Sequence, residues 1–234
     1  MPETILMPAS PSPRNEKKDP PYAVQKLAWG ASGAADNLMV NAIPGVALPI
    51  YNVGMGVSPI LIGYVMAIPR VLEAMLGPFI GTLSDNARSR WGRRRPFVAA
   101  GAILCGVLFA VIFRPPVFLF HNEWGLFWYF MIASLIYYIG YAVFAVPSGS
   151  LAFELSSDYH ERTRIQAWRI FFAALIGIPV SFLLKFCFVV GHGTTNNDRA
   201  VDGMRTLGIV IGAIILVFGI LPAIFCRERA ESQA

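Results

Sequence analysis

Arg70 and Glu73 stand three residues apart inside a run that is otherwise apolar. On a helix that spacing puts both on one face, where a guanidinium and a carboxylate can pair. A carboxyl so placed can hold a cation or carry a proton. The same two residues can equally form a static ion pair. A second polar group, Asp36, Asn37 and Asn41, lies in the preceding apolar run, with Asn37 and Asn41 one turn apart. Tyr141 and Arg169 add a hydroxyl and a guanidinium to two later runs. A charge near a bilayer centre costs about 2.5–3.5 kcal/mol on insertion scales, so such residues face a bundle interior and mark a solute or ion path.

These side chains need apolar helices to hold them. The chain is 56% hydrophobic and 14% charged over 234 residues, whereas soluble domains run at about 45–50% and 25%. Lipid is the simple destination for the excess apolar surface. Six runs, 24–51, 58–83, 96–114, 125–149, 166–190 and 204–226, each come near the ~20 residues that span a bilayer. They predict an all-α integral membrane bundle. Pro44, Pro49, Pro69, Pro78 and Pro179 interrupt three of the runs, which membrane helices tolerate where neighbours satisfy the freed carbonyls. Gly77/Gly81 and Gly208/Gly212 repeat at four-residue spacing, a pattern that lets helices approach closely. Residues 1–23 are rich in Pro, Ser and charge and read as a disordered tail. Residues 227–234 read as a polar tail at the other end.

The loops carry the orientation. Arg14, Lys17, Lys18 and Lys26 precede the first run, and Arg88, Arg90, Arg93, Arg94 and Arg95 follow the second. Arg162, Arg164 and Arg169 follow the fourth, and Arg227 and Arg229 the last. The opposite side holds Arg114, Lys185, Arg199 and Arg205. The positive-inside rule then places both termini in the cytoplasm of a multi-pass cell-membrane protein.

The two basic loops also contain acids, which that rule hardly counts. After the second run the chain reads Ser84-Asp85-x-x-Arg88-Ser89-Arg90. After the fourth it reads Ser157-Asp158-Tyr-His-Glu161-Arg162-Thr163-Arg164. Asp158 and Glu161 have the spacing of a capping box, predicting a short helix that leads into the fifth span. Two roles fit these loops. The arginines can set topology alone, or Asp85, Arg88, Arg90 and Arg93 with Asp158, Glu161, Arg162 and Arg164 can form a charge network that latches helix ends in one conformation.

At these positions the sequence resembles a known family. Gly81-x-x-x-Asp85-x-x-Arg88-Ser-Arg90-Trp-Gly-Arg-x-Arg-Pro96 is similar to the loop signature of the glycoside–pentoside–hexuronide:cation symporters, the melibiose permease-like branch of the major facilitator superfamily. Gly92-Arg-Arg-Arg-Pro-Phe97 also resembles the sucrose transporters. Glu154-Leu-Ser-Ser-Asp158-Tyr-x-Glu161-Arg162-Thr163-Arg164 resembles the same family's segment after helix 4. The resemblance covers about residues 24–226 and implies the N-terminal six-helix half of a twelve-helix fold, with residues 227–234 starting the central loop. It implies that Glu73 matches the first of two cation-binding carboxylates, the second falling on Gly77. The sugar-binding acid of helix 1 falls on Asn37, next to Asp36. The acid of helix 4 falls on Ala145 and its aromatic on Gly149. Tyr141 and Arg169 match polar sugar-site positions, Arg169 across a one-residue gap.

The expected function is therefore part of a secondary active transporter, moving a sugar- or glycoside-like solute with H+ or Na+ by alternating access. A different organic solute or a lipid on the same scaffold is one alternative. A non-transporting membrane protein or the remnant of a split gene is another. The expected partners are the lipid bilayer, a small-molecule solute and a second six-helix half, supplied by a separate chain, a further C-terminal part or a second copy. No nucleophile–base pair, metal cluster or phosphate loop points to an enzyme or a cofactor. Cys105, Cys187 and Cys226 sit in apolar runs without metal-ligand spacing and read as packing residues. The +5 net charge follows from the topology arginines, and no basic folded domain calls for nucleic acid.

Overall fold

The computed structural model describes residues 22–87, 89, 91–120, 122–155 and 159–226. Arg88, Arg90 and Asp158, expected in the charge network, lie outside the described residues. The helices are α1 (Tyr22–Ala47), α2 (Pro59–Asn86), α3 (Arg95–Ile112), α4 (Glu123–Leu155), α5 (Tyr159–Ser181), α6 (Leu183–Val190) and α7 (Asn196–Phe225). No strand occurs among the described residues.

Local chemistry sets the helix ends. α1 loosens into a π-helical coil over Leu48–Gly54, with Pro49 in its first turn. α2 starts at Pro59, a position where the missing N–H costs nothing, and the Ser58 N–H donates to Glu123 Oε1 at 2.8 Å. Gly92 takes φ 108° in the turn before α3, a conformation that only glycine adopts freely. A reciprocal Thr195/Asp198 capping box opens α7. α5 and α6 are bent by 51° at Phe182, whose N–H reaches back to the carbonyl of Pro179 at 3.0 Å. Pro179 cannot donate and tightens the turn that follows it.

Packing explains which helices look like membrane spans. α2, α3, α4 and α7 are long and apolar enough to cross a bilayer, and the bent pair α5–α6 adds a fifth if it crosses as one broken span. α2 turns a stripe of Ile60, Tyr64, Ile68, Val71, Met75, Phe79 and Leu83 outward, and α5 does so with Ile170, Phe171, Leu175 and Ile178. Exposed apolar stripes of this length suit lipid, not water. α1 falls outside that group. It packs against α5, α7 and α4, and Trp29, Ala35, Met39, Ala42 and Ile43 are all buried. A helix wrapped by neighbours needs small and polar residues more than lipid-facing ones. α3 seats on α7 and α4, and α2 on α4. The aromatic core between them stacks Tyr51 on Phe130 at 4.1 Å, and the Tyr51 hydroxyl donates to the Ile112 carbonyl.

Two expectations change here. The short helix expected before the fifth span is the first turns of a continuous α5. Nothing interrupts it before Phe182, and the Glu-Arg-Thr-Arg stretch is compatible with helix. Gly77 meets no neighbouring atom, and Gly81 makes only an ordinary contact with Val146. Of the second expected pair, Gly212 does approach closely, against the Gly106 carbonyl, and Gly101 does so against Gly140 and Phe144. Gly77 faces outward because α2 touches α4 along its other side. Tyr137 and Tyr138 are core residues: the Tyr137 hydroxyl donates to the Met39 carbonyl at 3.0 Å.

Candidate functional site

The glycines of α1 bring the polar groups together. A side chain on Gly33 would collide with the Arg169 carbonyl, and one on Gly30 would sit 3.0 Å from Trp168 Cβ. Their bareness lets α5 lie directly on α1. Arg169, ten residues into α5, then reaches Asp36 at mid-length of α1. Its Nη2 stands 3.2 Å from Asp36 Oδ2. The Tyr141 hydroxyl, from the middle of α4, donates to Asp36 Oδ1 at 3.1 Å. The carboxylate of Asp36 is thus shared between a cation and a hydroxyl from two other helices.

A second pair lies on α2. Arg70 Nη1 donates to Glu73 Oε2 at 3.0 Å, the partner that the sequence spacing allows. The Arg70 guanidinium also stands over the Tyr138 ring, 5.1 Å from its centroid. Tyr141 is in electrostatic reach of Arg70 and Glu73 as well as Asp36. The two ion pairs therefore flank one tyrosine, with two positive and two negative side chains in the cluster. Charge balance is what a low-dielectric interior requires, since an unpaired ion there costs several kcal/mol. Neither pair is fully enclosed: the side chains are 20% and 26% exposed for Arg169 and Asp36, and 41% and 20% for Arg70 and Glu73.

Asn37 adds an unused acceptor. It is half-buried beside Gly177 of α5, and its Oδ1 has no hydrogen-bond partner. A buried carbonyl left unpaired costs about 1–3 kcal/mol. Asn41, one turn on, is exposed and joins no hydrogen bond among the described residues.

The basic end of the bundle carries a separate set of contacts. Asp85 pairs with Arg94, whose Nη2 lies 2.6 Å from Oδ1. Arg95 donates from Nε and Nη2 to the carbonyls of Ala223 and Ile224 at the C-terminus of α7. Glu161 pairs with Lys26 of α1 at 3.0 Å. Arg93 lies in the α2–α3 connection, Arg162 in the first turn of α5, and Arg164 two residues further along. Sequence reasoning missed Lys26, Arg94 and Arg95 as network members and Trp29 and Tyr138 as cluster members. Trp29 lies in an apolar run and belongs to no motif. Only its contacts, 5.2 Å from its ring to Arg169 Cζ and 3.0 Å from its Nε1 to the Ser148 carbonyl, set it apart. No group of histidine, cysteine and carboxylate side chains among the described residues could hold a metal ion.

Residues 28–234 match the family described as MFS/sugar transport protein. Among curated relatives, the chain is 29% identical over 209 residues to an uncharacterized symporter of Synechocystis, covering 88% of this chain and 38% of the relative. It is 28% identical to a putative glycoside/cation symporter of Escherichia coli, over 72% of this chain and 36% of that one. It is 23% identical to an isoprimeverose transporter of Lactiplantibacillus pentosus, over 89% and 42%. The chain thus spans about two-fifths of the length of these relatives.

Proposed function

The chain belongs to the MFS/sugar transport protein family, and on that premise we propose that it forms one six-helix bundle of a cation-coupled symporter for a sugar- or glycoside-like solute. The family is one of transporters, not enzymes, and the chain is a multi-pass helical membrane protein. The cluster of Asp36, Asn37, Tyr141 and Arg169 supports a solute site. It offers a carboxylate, an amide carbonyl, a hydroxyl and a guanidinium from three helices, the donor and acceptor set that a polyhydroxylated solute uses. The single observation that carries the reading is Asp36 held between Arg169 and Tyr141 at mid-bundle. A second bundle closes the other side of the solute path, and alternating access moves the two against each other. Glu73 supplies the coupling carboxylate, taking H+ or Na+ in exchange for Arg70. The bundle sits in the cell membrane with its basic end in the cytoplasm.

Names among the relatives suggest the first solutes to try: an isoprimeverose transporter and lactose permeases are among them. The test is uptake of radiolabelled isoprimeverose and lactose into vesicles from cells producing the protein, with sodium and proton gradients set separately. Gradient-dependent uptake that Arg169→Gln abolishes supports the reading. Uptake that Arg169→Gln leaves intact removes the cluster from the solute path.

The Arg70–Glu73 pair favours a second reading, because a carboxylate already satisfied at 3.0 Å can be purely structural. The protein would then carry its solute, a sugar or another organic molecule, without ion coupling.

A further inference from the structure

We propose that Trp29 is a positioning residue that orients Arg169 onto Asp36 and ties that contact to the backbone of α4. This deepens the solute-site reading above and rests on Arg169 belonging to that site. Trp29 is fully buried, at 0% exposure. A buried indole must place its N–H on an acceptor, and Nε1 donates to the Ser148 carbonyl of α4 at 3.0 Å. That bond fixes the ring's rotation. The face so fixed is turned toward α5, with the Arg169 guanidinium 5.2 Å from its centroid. The same guanidinium reaches Asp36 at 3.2 Å. Arg169 is therefore held from two sides, by a carboxylate and by an aromatic face, a geometry in which cation–π attraction is effective.

Trp29 is among the largest fully buried side chains of the core, so packing uses its bulk but does not account for its N–H or for the cation on its face. The α1 surface at Gly30 and Gly33 is bare because α5 crosses it closely, so the crossing itself needs no large side chain there. A phenylalanine would keep an apolar ring, though a smaller one that leaves a cavity, and would leave the Ser148 carbonyl without this donor and the ring unpinned. Trp29 thus connects three helices: its own α1, α4 through the N–H, and α5 through the ring face. Movement of α4 at Ser148 turns the ring and shifts Arg169 relative to Asp36.

The test separates the ring face from its volume. Tryptophan at position 29 is replaced site-specifically by mono-, di- and tetrafluorotryptophan, which keep the shape and progressively weaken the π face. Asp36 modification by a hydrophobic carbodiimide, read by peptide mass spectrometry on the purified chain, reports how far Arg169 has left the carboxylate. Arg169→Gln sets the fully released level. Labelling should rise stepwise across the series, by about 2- to 30-fold in total, the span that cation–π strength allows. 3-Benzothienylalanine, which keeps the face and lacks the N–H, should give an intermediate rise. Flat labelling across the fluorinated series overturns the proposal, leaving Trp29 as packing. The fluorinated variants preserve volume and so avoid a folding failure. Labelling is read without any solute: if Arg169→Gln leaves uptake unchanged, the solute reading fails while the labelling series still decides the role of Trp29.

Discussion

Arg169 and Asp36 are joined at 3.2 Å across the α1–α5 crossing, although 5.2 Å away the same guanidinium also rests on Trp29. Removing one member strands the other charge in a mostly apolar bundle, while removing both strands neither. Asp36→Asn and Arg169→Gln should each lower stability by about 1–3 kcal/mol. The double variant should cost less than the two singles added together, a coupling that a double-mutant cycle measures directly. Thermal unfolding in detergent is the measurement. Strict additivity would show that the two side chains do not interact.

The glycines make a sharper pair. Gly33→Ala forces a methyl into the Arg169 backbone, and overpacking of that kind costs about 1–3 kcal/mol. Gly77→Ala meets open space, so the chain should be as stable or gain up to about 1 kcal/mol from the better helix former. Both melting temperatures can be read on the same day in the same detergent. Equal losses at the two positions would contradict the α1–α5 crossing described above.

At the basic end, two neighbouring arginines should behave differently. Asp85 is 52% exposed and its partner Arg94 14%, so solvent screens the carboxylate side of the pair, and an ion pair open to water on one side contributes about 0–1 kcal/mol. Arg95 caps two carbonyls of α7 at 2.6 and 2.8 Å, groups that a helix end otherwise leaves unpaired. Arg95→Gln should cost about 1–3 kcal/mol, and Asp85→Asn less than half as much. Faster amide hydrogen exchange in the last turn of α7, seen with Arg95→Gln alone, would localise the effect.

The apolar helices were legible because lipid leaves a long, nearly uniform imprint on α2, α3, α4 and α7. α1 also emerged as a run, yet its burial by α4, α5 and α7 diluted that imprint with Gly30, Ser32, Gly33, Asp36 and Asn37. Arg70–Glu73 could be read because a helix fixes what lies three residues apart. Asp36–Arg169 and Lys26–Glu161 could not be read from spacing, since each joins residues more than a hundred positions apart through tertiary packing. A signal for the first did exist. Gly30 and Gly33 share a helix face, as Gly77 and Gly81 do, but spacing alone does not tell which small-residue pair meets a neighbour. Pro179 announced a break, and the bend fell three residues later, at Phe182, where the chain resumes as α6.

Glu73 is where the two functional readings part. Its Oε2 accepts from Arg70 at 3.0 Å, so a coupling ion must compete with that guanidinium for the carboxylate. A glutamine at 73 keeps the shape and a hydrogen-bond acceptor but cannot take up a proton or neutralise a cation. Under the coupling reading, Glu73→Gln should leave downhill uptake measurable and abolish accumulation driven by either ion gradient. Arg70→Gln should act in the opposite direction, freeing the carboxylate and lowering the ion concentration needed for half-maximal uptake. The check is initial uptake in vesicles against stepped sodium concentrations and stepped pH, wild type beside both variants. If Glu73→Gln accumulates solute as steeply against the same gradients as the wild type, Glu73 is a static partner of Arg70.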